Sequence, residues 1–272
     1  MLNRTTGIAV TAGVGLTLST ALLSTLSACG HDRHRVHAAA DRTRQPSSAR
    51  PTTRAPTRAA PSRAVDCAVA RCVALTFDDG PGRHTERLLD LLRPTRARVT
   101  FFVVGRQVRP NAAVVRRIVA EGHEIGNHTW SHARLPGLSE EAIRAEIDRT
   151  QDAVHEAAGV RPRVFRPPYA VTDARVGRAA GLPQVMWSVD PMDWRPSGPG
   201  RRERMVDEIV RDTRPGDIVL LHDVHGPTVS AAPELVTRLR RKGYELVTVS
   251  DLFRGVPLRP GAPYRHRRAE EP

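Results

Sequence analysis

Val73-Ala74-Leu75-Thr76-Phe77, followed directly by Asp78-Asp79-Gly80, sets the frame for the whole chain. A short, nearly continuous apolar run suits a strand covered on both faces, as in a parallel sheet sandwiched by helices. Six further runs of the same kind follow: Val99–Val104, His123–Gly126, Arg163–Phe165, Val185–Val189, Asp217–Leu221 and Glu245–Val249. Between them, helical patterns fall near 84–92, 111–121, 139–157, 173–180, 201–212 and 230–241. Asn111 and Ser139 suit N-caps, Glu140-Glu141 complement a helix start, and Gly122, Gly159, Gly181 and Gly243 are placed as stops. Seven strands alternating with helices predict a single α/β domain with a mainly parallel sheet, open or closed into a barrel.

The residues with chemistry fall at or just past the ends of these strands: Asp78-Asp79 after the first, His128 after the third, Arg166 after the fourth, Asp190–Trp194 after the fifth, His222-Asp223 at the sixth. Barrel enzymes build their sites at that face. One carboxylate and two neutral imidazoles, here His128 and His132, are a common shell for a catalytic zinc that keeps a position open for water. A second carboxylate can then take a proton from that water. Each piece alone has a plainer reading. Asp-Asp-Gly makes turns, histidines four apart share a face only on a helix, and Trp187 and Trp194 could be core aromatics. His84 and His123 read as structural, and His225 is given no role.

Five segments nevertheless occur in order: Thr76-Phe77-Asp78-Asp79-Gly80, His128-Thr129-Trp130-Ser131-His132, Arg166-Pro167-Pro168-Tyr169, Asp190-Pro191-Met192-Asp193-Trp194 and Leu220-Leu221-His222-Asp223. Together they resemble the polysaccharide deacetylases that share the NodB homology domain, carbohydrate esterase family four, over roughly residues 70–253. The resemblance implies a distorted, incomplete (β/α) barrel of about seven mainly parallel strands. It implies Asp79, His128 and His132 as metal ligands, normally for zinc, with cobalt, nickel or manganese as other divalent ions. Asp78 would be the general base, held by Arg166. His222 would be the general acid, with Asp193 on its far nitrogen. The Tyr169 backbone N–H would stabilise an oxyanion, and Leu220 and Trp194 would shape a pocket for the acetyl methyl. Ala170 departs from the pattern, which has glycine there. A left-handed alanine would cost of order 1 kcal/mol and could displace the Tyr169 amide.

Outside this region the chain of 272 residues reads differently. Asn3-Arg4, an apolar small-residue segment from Ile8 to about Leu26, and small residues after it form a secretory signal. Its Leu26-Ser27-Ala28-Cys29 ending resembles the bacterial lipoprotein signal, with Cys29 as the lipidated residue. The alternative is an ordinary cleaved signal; Gly13 and Gly15 weaken a transmembrane reading. Residues 30–64, rich in Pro, Ala and Arg, read as a tether that cannot bury a core. The expected layout is signal 1–29, tether 30–64, domain 65–255 and basic tail 256–272, with Arg265–Arg268 unstructured. Cys67 and Cys72 are expected to pair as a small-loop disulfide in an oxidising exterior.

The net charge of +13 lies mostly in these flanks, with eight arginines against two aspartates in 30–64. It suits anionic headgroups or wall polymers better than nucleic acid, for which no motif is present. Nor is there an internal repeat or a Gly-rich phosphate loop. The expectation is an exported, monomeric, zinc-dependent N-deacetylase. Its substrate would be a glycan, first the N-acetylglucosamine of peptidoglycan, and its membrane contact a lipid on Cys29. Chitin oligomers and acetylated xylan are the catalytic alternatives, because amide and ester hydrolysis need the same groups. A silent wall-binding lipoprotein is the alternative of another class.

Overall fold

The computed structural model of the chain describes residues 65–195 and 198–267. The signal, Cys29 and the tether expected at 1–64 lie outside the described residues. The elements in chain order are β1 (Cys72–Asp78), α1 (Thr85–Leu92), β2 (Thr100–Val103), α2 (Gly105–Val108), α3 (Ala112–Ala120), β3 (Glu124–Asn127), α4 (Glu140–Ala158), α5 (Ala174–Ala180), β4 (Gln184–Val185), α6 (Arg201–Asp212), β5 (Ile218–His222), α7 (Gly226–Arg241), β6 (Glu245–Leu246), α8 (Val249–Leu252) and β7 (Pro263–Tyr264).

Every residue of β1 is buried, and the period of two sorts its side chains into two layers. Val73, Leu75 and Phe77 join the larger apolar cluster, with Leu88, Leu89 and Leu92 of α1 and Leu235, Val236 and Leu239 of α7. Cys72 and Ala74 face a second cluster with Phe102, Val164, Ile218 and Val247. Thr76 and Asp78 continue that second face, so the inner side of the sheet turns polar at one end. Burying each large aliphatic side chain contributes about 1.5–3 kcal/mol, which makes the helical layer the main support of the strands.

The sheet is parallel, in the order β3-β2-β1-β5, with β6 on the start of β1 and a separate β4-β7 pair. Single bridges from Asn127 to Phe165, Phe165 to Gln184 and Val189 to Val219 complete the path around. The result is a deformed α/β barrel whose continuous ladders do not close. The strand expected at Arg163–Phe165 is reduced to the one bridging residue, Phe165. The expected 245–249 run stops at Leu246, because the Thr248 hydroxyl caps α8 by accepting from Asp251 N.

α7 begins four residues before its expected start, because Pro227 sits in a first turn whose N–H groups have no helical partner. Ser139 caps α4, accepting from Ala142 N at 3.2 Å. Asn111 does not cap α3; its amide donates to Gln107 O at 2.8 Å instead. Residues 254–267 lie along the domain, and the stretch around Arg265 is not the loose end its composition suggests. β7 pairs with β4, and Arg267 N donates to Gly216 O at 2.8 Å. Cys67 and Cys72 are joined by a disulfide, which fastens the entry of the chain to β1. Among the described residues, no helix is long and apolar enough to cross a membrane.

Candidate active site

Register brings the strand ends to one level. Asp78 pairs with Phe102 on one side and His222 on the other, and Val103 pairs with Asn127. The residues that follow these strands therefore meet over the same end of the sheet. Asp78 is 3% exposed and points inward, whereas Asp79 turns away with φ 74°. Gly80 then passes so close to Asp223 that a Cβ there would lie 2.2 Å from Asp223 Oδ2, so only glycine fits.

His128 and His132 do not sit on a helix. Thr129 and His132 have φ of 65° and 63°, and this loop brings the two rings to 4.9 Å between centroids. Asn127 Oδ1 accepts from Thr129 N at 2.9 Å, and Thr129 Oγ1 accepts from His132 N at 3.0 Å. α4 clamps the loop from outside: Glu146 accepts from Ser131 N at 2.8 Å and Ser131 Oγ at 2.9 Å. Asp79, His128 and His132 thus offer ligand atoms within 4.8 Å of one another. His132 Nε2 and His128 Nε2 lie 3.2 and 3.5 Å from Asp79 Oδ1. Ligands about 2.0–2.1 Å from a tetrahedral ion are roughly 3.3–3.4 Å apart, so the spacing fits one.

Donor chemistry agrees with the spacing. His128 Nδ1 donates to the Arg166 carbonyl at 2.8 Å, which turns Nε2 toward Asp79. Asp79 Oδ1 is buried with no hydrogen-bond donor. Burial opposes ionisation of Asp79, but the facing His128 and His132 imidazoles outweigh it and hold the carboxyl at about 2. Burial, reinforced by His128, pushes the His132 imidazole below its ordinary value. With both Nε2 atoms free of hydrogen, the three side chains would present converging lone pairs, and the three residues could hold a metal ion.

Arg166 is completely buried. Its Nη1 donates to Asp78 Oδ1 at 2.7 Å and Thr76 Oγ1 at 2.8 Å. Nε and Nη2 donate to the Val185 and Met186 carbonyls at 2.8 and 3.0 Å. The guanidinium also lies 4.1 Å from the Phe102 ring centroid. With those donors directed, Arg166 fixes one oxygen of Asp78 and leaves Oδ2 toward His128, 3.7 Å from its Nε2.

On the other side, Asp193 Oδ1 accepts from His222 Nδ1 at 2.7 Å, and Oδ2 accepts from His222 N and Thr228 Oγ1, both at 2.8 Å. Burial disfavours the His222 cation, but the Asp193 bond and charge outweigh that, with Asp78 and Asp79 adding, and raise its pKa to about 9. Asp223 accepts from Thr85 Oγ1 at 2.5 Å, and burial pushes it up to about 7.

These groups line a cleft of ≈ 490 Å³ that also reaches Pro167, Tyr169, Trp187, Asp190, Trp194 and Leu220. Leu220 is buried at its floor, and Tyr169 and Trp194 are about half exposed at 54% and 50%. Tyr169 and Ala170 are both left-handed, with φ 60° and 56°. Apart from Arg96, every described non-glycine residue with positive φ lies in a segment bordering this cleft. Such residues cost of order 1–3 kcal/mol each and persist where the surroundings over-determine them. Sequence reasoning passed over Thr76, Thr228 and Glu146, whose hydroxyl or carboxylate contacts exist only after folding. Trp187 carried a signal, since a tryptophan follows Val185-Met186, but its place in the cleft wall did not. His123 is structural: its Nδ1 accepts from Val99 N at 3.3 Å.

The polysaccharide deacetylase sequence profile matches residues 66–185. A peptidoglycan-N-acetylglucosamine deacetylase from Bacillus cereus is 39% identical over 193 residues, covering 68% of this chain and 89% of that protein. The peptidoglycan-N-acetylglucosamine deacetylase PgdA of Listeria monocytogenes is 37% identical over 193 residues and 71% of this chain, which spans only 41% of its length. Among solved structures, a T48 deacetylase with substrate superimposes with TM-score 0.71 at 44% identity, covering 74% of this chain and all of that one. A family 4 acetyl xylan esterase from Clostridium thermocellum, in complex with a cobalt ion, gives TM-score 0.69 at 38% identity over 73% of this chain and all of that one. A barrel whose strand ends gather these carboxylates and imidazoles, with a Bacillus relative matched over 89% of its length and a solved deacetylase over all of its own, makes this chain a member of the polysaccharide deacetylase family.

Proposed function

We propose that the chain hydrolyses N-acetyl groups of a surface glycan, releasing acetate and leaving a free amine, with N-acetylglucosamine of peptidoglycan as its substrate. The observation that carries this is the pairing across one cleft of Arg166-held Asp78 with Asp193-held His222, on either side of Asp79, His128 and His132. Amide hydrolysis needs a base, charge stabilisation on the carbonyl oxygen and a proton for a poor leaving group, and this arrangement supplies a candidate for each. Asp79, His128 and His132 would hold zinc, which when bound would supply Lewis acidity and acidify water.

Asp78 takes the proton of the attacking water through the oxygen that Arg166 leaves open. The Tyr169 N–H donates to the carbonyl oxygen as it gains charge. His222, protonated through neutral pH, gives its Nε2 proton to the departing nitrogen, and Asp193 stabilises the ring throughout. Leu220 and Trp194 border the space for the acetyl methyl. The chain's basic flanks and its signal sequence support action outside the cell, with a lipid on Cys29 and residues 30–64 as spacer. The wall substrate is supported by the names of the Bacillus and Listeria relatives. The acetyl xylan esterase likeness keeps ester hydrolysis as a second reading, since the same groups would serve it.

Acetate release by the full chain tests the proposal, with peptidoglycan, chitin oligomers and acetylated xylan each offered to the zinc-loaded, chelated and zinc-restored protein. Zinc-dependent release from peptidoglycan is the expected result. Release only from xylan favours the ester reading, and silence on all three with zinc bound favours a wall-binding role.

A further inference from the structure

One short segment supplies the orienting partner of both imidazoles. Arg166 offers its main-chain carbonyl to His128 Nδ1, and three residues on, the Tyr169 phenol lies 3.0 Å from His132 Nδ1. We propose that the Tyr169 side chain is a positioning group for His132: its oxygen accepts the Nδ1–H and so holds Nε2 on Asp79 and the metal. The proposal rests on the reading that Asp79, His128 and His132 bind a divalent ion.

The two rings need this help unequally. His128 is buried, with 3% of its side chain exposed, whereas the His132 side chain is 21% exposed at the cleft edge. A half-free imidazole can turn about its Cβ–Cγ bond and present the wrong nitrogen. Only the tautomer with hydrogen on Nδ1 leaves a lone pair on Nε2, and an acceptor at Nδ1 selects both that tautomer and that orientation. Tyr169 is held in place to be this acceptor. Its backbone is left-handed, in a turn closed by Ala170 N to Pro167 O and Val171 N to Pro168 O. Its ring meets the His132 ring edge-on at 4.6 Å and 65°, and the Arg134 guanidinium lies 4.6 Å from its centroid. The residue that would offer its amide to the oxyanion is thereby tied through its side chain to a metal ligand, so the two halves of the site are fixed by one turn.

The test is the zinc affinity of the full chain and of Tyr169→Phe, measured by competition with a chromophoric chelator. Tyr169→Phe keeps the ring and the backbone amide and loses only the acceptor. Losing an outer partner of a histidine ligand weakens metal binding by roughly 10–100-fold, and that is the expected change in zinc Kd. Metal-free Tm should be the same in both proteins. Equal zinc affinities overturn the proposal, as does a variant whose metal-free Tm falls in step with its affinity, which marks a packing role. Wild-type protein that binds no zinc, cobalt or manganese overturns the metal reading itself, and this proposal with it.

Discussion

Asp78 and Asp79 are neighbours in the chain with opposite surroundings, because the backbone turns left-handed at Asp79. Asp78 stays on the inner face of β1, where Arg166 occupies one of its oxygens. Asp79, at φ 74°, swings out to the imidazoles. Asp78→Asn should lower kcat by about 10²–10⁴-fold while zinc affinity changes little. Asp79→Asn should lose zinc first and activity as a consequence. Turnover with zinc-loaded Asp78→Asn at the wild-type rate would remove Asp78 as the base.

Ala170 gives the second prediction at this scale. At φ 56° it carries a Cβ in a region that costs an L-residue roughly 1–2 kcal/mol, so Ala170→Gly should stabilise the fold by about 1 kcal/mol, less the entropy glycine gains when unfolded. Denaturant midpoints would show it, and a destabilised variant would mean that the methyl packs usefully. The residues with side-chain chemistry were legible because five segments in order resemble one family, whereas each segment alone has a plainer reading. Thr76 and Thr228 were not, since a hydroxyl on a strand or helix looks the same whether or not a buried arginine or aspartate will meet it.

β5 and α7 act as a pair in holding His222, the proposed general acid. His222 ends β5, Thr228 lies in the first turn of α7, and both bond to Asp193 from the loop before α6. The folded-state pKa of His222 is raised from 6.5 to about 9, so the native state binds this proton more tightly than the unfolded chain. The contribution to stability is complete below about pH 6.5 and is lost as pH rises through about 9. The same value places the loss of general-acid activity on the alkaline side. Asp193→Asn removes the largest favourable cause and should move the alkaline limb of kcat down by about one to two pH units. A limb that stays in place would assign it to another group.

Elements were legible where apolar runs or caps were strong, as in β1, β5 and α4. They were not where tertiary pairing decides. β7 is two residues of a Pro-, Gly- and Arg-rich stretch that become a strand only because β4 leaves an edge to pair with. Conversely, Arg163–Phe165 looks like a strand and contributes one bridging residue, Phe165, because Arg166 must turn inward immediately after it.

At the scale of the whole molecule, the three residues that could hold an ion come from the end of β1 and from the loop that leaves β3, and α4 grips that loop through Glu146. The sequence pattern made the alternation of strands and helices legible, and with it the face on which the site would lie. The loop conformation that lets histidines four apart converge without a helix was not legible, since it depends on left-handed Thr129 and His132 and on contacts with Asn127 and Glu146. A cation would satisfy this corner of the site, where Asp79 Oδ1 is buried without a donor and the Nε2 atoms of His132 and His128 face it at 3.2 and 3.5 Å.

An ion that binds this native arrangement and not the unfolded chain stabilises the protein by mass action, about 2.7 kcal/mol at a concentration a hundred times its Kd. For a folded region of this size each kcal/mol moves Tm by roughly 2–4 °C. Removing the metal by chelation should therefore lower the Tm of the full chain by about 5–10 °C, and restoring zinc should return it. Differential scanning calorimetry with and without chelator would measure the shift. Asp79→Ala provides the control, because it removes the unpartnered oxygen and should melt at one temperature whether or not zinc is present. A wild-type Tm that ignores chelation would mean that the donors are held apart by the fold alone, with the strain at Asp79, Thr129 and His132 borne by the barrel rather than relieved by an ion.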